Sequence, residues 1–237
     1  MTLWARLTWQ AKDPLALAAE LARRLEVPAR PGGLAAGARL LRLGTAELEV
    51  RSWIHEAPGD SPRIAGRLML EPVPNGEEPP VARDEPDPLV LLGLGWATVE
   101  LDRAEAELEM WLGPRPGGTG ADATSADEHL GARVVLREGG GLPGAWTVLL
   151  EPSTEGRAAA SLARDGEGPC ALYLRSAMGL DAWVEAARGR GVTVGGQREG
   201  PFGSQVLLSA GPAGPHVIIT EGRSPVADPV PAGTIAP

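Results

Sequence analysis

The sequence predicts an α+β fold of repeated βαβββ-type units whose strands form curled mixed sheets, and excludes a doubly wound parallel sheet. Two observations lead there. Three stretches begin alike, with an alternating strand that runs into an amphipathic helix. Each is followed by further strands, and the first two sets close in the related strings LMLEPV and VLLEPS. Recurrence on this scale outranks any single short motif, because a unit that cannot bury its apolar face alone must pack on its own copies.

The first unit opens with LWARLTWQAKDPLALAAELARRLEV. Its strand is followed by Asp13 as a helix N-cap and Pro14 at the first helical position, where its missing N–H costs nothing. Leu17, Leu21 and Leu25 recur at four-residue spacing as the buried stripe. ARLLRLGTAELEV then reads as a hairpin turning at Gly44 and Thr45, and GRLMLEPV as a closing strand. The second unit, GLGWATVELDRAEAELEMWLG, places Asp102 near the cap, puts Leu108, Trp111 and Leu112 on one helical face, and stops at Gly113. ARVVLREGG and WTVLLEPS are its later strands. A short amphipathic helix bounded by glycines follows in STEGRAAASLARDGEG. The third unit, CALYLRSAMGLDAWVEAARGRGV, has Leu180, Trp183, Val184 and Ala187 as its buried stripe, and SQVLLSAG and PHVIITEG as its later strands.

This divides the chain into an N-terminal unit over residues 1–73, a linker over 74–90, a region of two units over 91–223 and a disordered tail over 224–237. The linker and the stretch 113–129 are rich in Pro, Gly and acidic residues, so the latter is expected to be a mobile loop.

Composition narrows the partners. The 237 residues are 43% hydrophobic and 22% charged, enough apolar material for a packed core. A formal charge of −9, with 22 basic residues scattered singly, excludes a nucleic-acid or anionic-membrane footprint. The N-terminus has no cationic region before a long apolar run, and no run reaches the roughly 18 apolar residues of a bilayer span. A cytoplasmic location is expected. The lone Cys170 can form no intrachain disulfide, which suits a reducing compartment.

The repeated unit resembles the vicinal oxygen chelate superfamily, which includes glyoxalase, extradiol dioxygenases, bleomycin-resistance proteins and methylmalonyl-CoA epimerase. The likeness is nearest the epimerase over residues 132–221, where VLLEPSTEGRAAASLARDGEGPCALYL shows a strand ending in Leu-Glu-Pro, a short helix, Gly-Glu-Gly and the strand opening the next unit. The resemblance implies a curled sheet of paired units with the ligand on its concave face. It also implies, in metal-dependent relatives, a His early in the first strand of each unit and carboxylate or amide ligands on later strands. Carried onto this sequence, those places fall on Trp96, on Cys170 or Ala171, on Val148 and on Ile219. None of these apolar side chains presents a metal-ligating lone pair, and Cys170 alone holds no ion, so neither a metal nor a cofactor is expected.

The remaining inventory is thin. His55, His129 and His216 lie far apart with no zinc-type spacing. Glu49, Glu71, Glu100 and Glu151 sit near strand ends and could converge as an oxygen-rich site, or could simply be solvated strand ends. GLGWAT lacks the third glycine of a dinucleotide fingerprint. Seven Trp stand against one Tyr173 and one Phe202, and Trp4 and Trp96 occupy similar places in the first strands of units one and two. An aromatic, metal-free pocket lined by Trp4, Trp96, Val148, Cys170, Ala171 and Ile219 is therefore expected to bind a small hydrophobic or aromatic molecule. The alternatives are an isomerase or lyase with an atypical carboxylate or metal site, and an interaction protein whose cavity has collapsed. Three units cannot all pair within one chain, so a homodimer is expected.

Overall fold

A computed structural model describes residues 5–11, 13–31, 38–43, 46–52, 67–72, 87–112, 125–138, 144–153, 155–208 and 215–223. The first unit comprises β1 (Ala5–Ala11), α1 (Pro14–Leu25), β2 (Ala29–Pro31), β3 (Arg39–Leu43), β4 (Ala46–Ser52) and β5 (Arg67–Pro72). Its strands form a sheet in the order β2-β3-β4-β1-β5. α1 starts as its sequence dictates: the Asp13 carboxylate accepts a hydrogen bond from the Ala16 amide at 3.0 Å, with Pro14 next. Leu21 and Leu25 are buried with Ala18 against Leu7, Trp9, Leu41, Leu48 and Val50 of the sheet. Strand alternation then puts Thr8, Gln10, Glu49 and Arg51 on the opposite face, which carries no helix among the described residues. All four are buried too.

The second unit comprises β6 (Leu89–Ala97), α2 (Leu101–Leu112), β7 (Ser125–Asp127), β8 (Ala132–Glu138) and β9 (Trp146–Pro152). After the short α3 (Arg157–Asp165), the third comprises β10 (Gly168–Ser176), α4 (Leu180–Gly189), β11 (Val194–Gly200), β12 (Gly203–Leu208) and β13 (His216–Thr220). Both contribute to one sheet in the order β11-β12-β13-β10-β6-β9-β8-β7. The repeat is now visible as pairing. In each unit the first strand lies parallel to a later one, β1 to β4, β6 to β9 and β10 to β13, the last two being the final strands of their units. β6 and β10 pair antiparallel and fuse units two and three into a single curled sheet. Unit one has no such mate, and β5 lies antiparallel on the corresponding edge of β1.

The eight-stranded sheet curls until its two ends nearly meet. The Glu128 amide, just after β7, donates to the Glu199 carbonyl of β11 at 3.3 Å, and Arg198 faces Glu128 at 3.8 Å. One core cluster joins the α1 face of the small sheet to the outer face of the large one, through Leu91, Leu94, Leu172, Leu174, Val217 and Ile219, with Leu180 and Trp183 of α4. Each such side chain removed from water contributes roughly 1.5–3 kcal/mol.

One expectation needs correction, and two strands appear that the sequence pattern does not announce. The end of the expected mobile loop at 113–129 is ordered, as β7 and the turn after it, because buried donors capture Asp127; residues 113–124 lie outside the described part. β11 was not foreseen, since VGGQREG has no apolar alternation and is held by backbone pairing to β12. β2 is likewise a short strand without a pattern of its own. Asp102 does lie near the cap, in the first turn of α2, but the hydrogen bonds at that end come from elsewhere. The Glu151 carboxylate accepts from the Leu101 amide at 3.0 Å, and Glu167 accepts from the Val99 amide at 2.8 Å and the Thr98 hydroxyl at 2.7 Å. These contacts hold the Glu167 carboxyl down at about 2, the Val99 amide contributing most. The LEPS and GEG strings are thus a capping device assembled from two neighbouring segments. The hairpin turn at Gly44 and Thr45, Gly113 and the tail 224–237 lie outside the described residues, although β3 and β4 do pair antiparallel.

Candidate functional site

The inner face of the curled sheet is set by register. Gly95 lies beside Val148, Ala97 beside Leu150, Gly93 opposite Tyr173 and Tyr173 beside Ile218. Apart from the two glycines these residues are apolar or aromatic, and all are buried. The glycines have a use. A Cβ on Gly93 would sit 2.9 Å from Val148 and 3.0 Å from the Phe202 ring, and one on Gly95 would lie 2.8 Å from the Ala171 Cβ and 3.2 Å from Tyr173. β6 therefore leaves a slot on its inner face, where glycine permits close approach of neighbouring groups.

Two aromatic rings fill that slot. Phe202 sits in the two-residue turn between β11 and β12, with 1% of its surface exposed. Its ring meets Tyr173 edge-on, with centroids 5.5 Å apart and planes at 65°. The Phe202 backbone is pinned: its carbonyl accepts from the Thr220 hydroxyl at 2.9 Å and from the Arg223 amide at 3.0 Å. Gly203 follows with φ of 89°, a left-handed conformation that glycine tolerates best. Half-buried Trp146 packs against the same cluster.

A polar knot closes one side. The Tyr173 hydroxyl donates to Asp127 Oδ2 at 2.7 Å, the Gln205 amide donates to the same oxygen at 3.0 Å, and the Leu130 amide donates to Oδ1 at 2.9 Å. Asp127, Tyr173 and Gln205 come from β7, β10 and β12, so the knot ties the far edge of unit two to unit three. Burial pushes the Tyr173 phenol well above its ordinary range and the nearby Asp127 charge adds to this, so it stays a donor. The Gln205 Oε1 atom is buried without a hydrogen-bond partner among the described residues. The His129 imidazole contacts the Gln205 carbonyl at 3.2 Å, and burial lowers its basicity.

α3 covers the remaining opening, with Ala158 buried and Leu162 partly buried in the inner cluster. Ser161 and the His216 ring are 3.2 Å apart. Burial, helped by the Arg157 and Arg164 charges, brings His216 down to about 4, so it is neutral near pH 7. Beside α3 a cleft lined by Ser161, Arg164, Pro169, Cys170 and Pro215 reaches the thiol. Burial pushes Cys170 up to about 12, which removes it as a nucleophile.

The residues expected to line a pocket divide between two faces. Val148, Cys170 and Ala171 come together in the inner cluster. Trp96 lies on the other side of β6, packed with Leu101, Ala104 and Leu149 against α2. Ile219 is in the core shared with the small sheet. Trp4 lies outside the described residues. The cause is strand periodicity: Gly95 and Ile218, one position away from Trp96 and Ile219, are the inward residues. Sequence reasoning missed Phe202, Tyr173, Trp146, Asp127 and Gln205. The signal available was the Gly93-x-Gly95 spacing inside a strand, since glycine there marks a close approach.

A divalent metal, which the resemblance implies for some relatives, does not fit. The inner positions offer glycine, valine, alanine and isoleucine, and both oxygens of Asp127 already accept protein donors. Among the described residues no group of three or more His, Cys, Asp or Glu is placed to hold an ion. The four carboxylates do not converge either. Glu49 is buried in the small sheet, Glu151 is bound to the Leu101 amide and to Arg133 at 2.6 Å, Glu100 is exposed, and the Glu71 side chain lies outside the described part. His55 is also outside it.

No family model and no curated protein matches the chain. Solved structures do. A triple mutant of 4-hydroxymandelate synthase from Streptomyces coelicolor matches 94% of this chain and 94% of its own, at 15% identity and a TM-score of 0.56. Methylmalonyl-CoA epimerase from Mycobacterium tuberculosis matches 56% of this chain and 88% of its own, at 24% identity and a TM-score of 0.44. The Streptomyces coelicolor epimerase in complex with 2-nitronate-propionyl-CoA matches 55% and 96%, at 23% identity and a TM-score of 0.41. With paired strand-helix-strands units curled into one mixed sheet, and a neighbour that spans nearly the whole chain, the protein has the fold of the vicinal oxygen chelate superfamily.

Proposed function

We propose that the chain is a metal-independent binding protein whose guest is a small hydrophobic or aromatic molecule held on the inner face of the eight-stranded sheet. The observation that supports this is the slot on β6. Gly93 and Gly95 make room for a ring between Val148, Leu150, Ala171 and Tyr173, where relatives of this fold would be expected to present ligating side chains. Apolar walls with a few placed polar groups are the usual make-up of small-molecule sites. The reading places the protein in the cytoplasm, in keeping with its lone buried thiol. The homodimer expected from an odd unit count is not required to complete the sheet, because β5 covers the edge of β1 that a second copy would otherwise take.

Elemental analysis and thermal unfolding test this together. Purified protein is expected to carry no stoichiometric Zn, Ni, Mn, Fe or Co and to keep its Tm in chelator. Single-ring aromatics are expected to raise that Tm and to alter tryptophan fluorescence through Trp146. Stoichiometric metal, with a catalytic activity lost in chelator, would overturn the reading and favour an isomerase or lyase.

A further inference from the structure

We infer that Phe202 is a built-in occupant of the binding slot, and that the guest is a single-ring aromatic carrying a hydrogen-bond donor, of the phenol class, which enters by displacing that ring. The inference rests on the reading above that the inner face is the binding face. Phe202 is the chain's only phenylalanine and Tyr173 its only tyrosine, and they lie edge to face in the same inner cluster. The Phe202 ring is not part of a strand's alternating pattern. It enters from a turn and lies against Gly93, where a Cβ would meet both it and Val148. A strand residue reduced to glycine so that a turn can insert a benzene ring is the geometry of a filled site.

The chemistry of the guest follows from the polar knot next to the ring. Tyr173 touches Phe202 with its ring and Asp127 with its hydroxyl, and Gln205 shares that carboxylate. Gln205 is wholly buried, its amide lies over Gly200 at the foot of the turn that carries Phe202, and its Oε1 has no hydrogen-bond partner among the described residues. Buried acceptors are nearly always satisfied, so this atom calls for a donor. The phenylalanine ring has none to offer, whereas a phenolic O–H would supply one. Displacement is a side-chain rotation on a fixed backbone, because two hydrogen bonds hold the Phe202 carbonyl. A site that is mostly self-occupied binds its guest with an affinity reduced by the fraction of time it is open.

One fluorine label tests this, because 4-fluorophenylalanine incorporated into the wild-type chain reports on position 202 alone. Phenol is expected to raise the Tm, to shift the single fluorine resonance towards that of a solvent-exposed ring, and to bind at least tenfold more tightly than toluene. Phe202→Ala is expected to tighten phenol at least tenfold, and Gln205→Leu to abolish the preference over toluene. If phenol raises the Tm while the fluorine line stays in place, the self-occupancy inference falls and the binding reading stands. If neither phenol nor toluene binds the wild type or the Phe202→Ala variant, the binding reading itself falls. The fluorine measurement needs no substitution, so it decides the matter even if Phe202→Ala fails to fold.

Discussion

The five-stranded and eight-stranded sheets are built from the same unit, yet the face opposite α1 in the small sheet and the inner face of the large one are opposites in chemistry. In the small sheet that face presents buried Thr8, Gln10, Glu49 and Arg51, with Thr8 beside Glu49 and Gln10 beside Arg51 on adjacent parallel strands. In the large sheet the inner face presents Gly93, Gly95, Val148, Leu150, Ala171 and Ile218, with polar groups in the knot around Asp127 and in the Ser161–His216 pair. The difference teaches that pairing, more than the unit, sets the chemistry of the inner face. Units two and three join through β6 and β10 and curl until β7 meets β11, which excludes water and makes any unpaired polar group costly. Unit one has β5, not a second unit, beside β1, so the polar face opposite α1 is buried without a paired unit curling over it among the described residues.

The largest effect should come from breaking the knot that closes the large sheet. Asp127→Ala strands three buried donors, from Tyr173, Gln205 and Leu130, and is expected to cost about 3 kcal/mol or more in urea unfolding. A loss below about 1 kcal/mol would show that the seam is not tied by these bonds. An intermediate effect comes from putting the small sheet's chemistry into the large one. Val148→Thr keeps the shape but buries a hydroxyl among apolar side chains, and is expected to cost about 1–3 kcal/mol. An unchanged midpoint would mean that water reaches the inner face, and the contrast between the sheets would lose its basis. The smallest effect is expected at Trp9, a buried side chain in the core between the sheets. Its indole N–H has no hydrogen-bond partner among the described residues, so Trp9→Phe gives up packing but also relieves an unsatisfied donor. The two terms should nearly cancel, leaving a change under about 1 kcal/mol. A loss of about 3 kcal/mol would show that the indole is held by more than packing.

Much of the fold was legible in local pattern. Asp13 with Pro14 announced α1, and the stripe Leu180, Trp183, Ala187 announced α4, because capping chemistry and helical periodicity act within a few residues. The candidate site was less legible. Val148 and Ala171 were placed on the inner face, but Trp96 and Ile219 fall on the outer one, since a one-residue register choice reverses the face and β-bulges at Leu92 and Cys170 interrupt the ladder between β6 and β10. Phe202 was invisible as a site residue because it reaches Gly93 from a turn more than a hundred positions away.

The sequence by itself determined the repeated unit, its helices and the apolar identity of the positions where ligating side chains were expected, because each depends on residue type and short-range spacing. Only the tertiary structure decided that units two and three pair with each other, that β5 takes the vacant edge of unit one, and that Phe202 and Tyr173 fill the inner face. Those outcomes depend on which edges meet in space, and strand pairing and curl are set by contacts between residues that no local pattern relates.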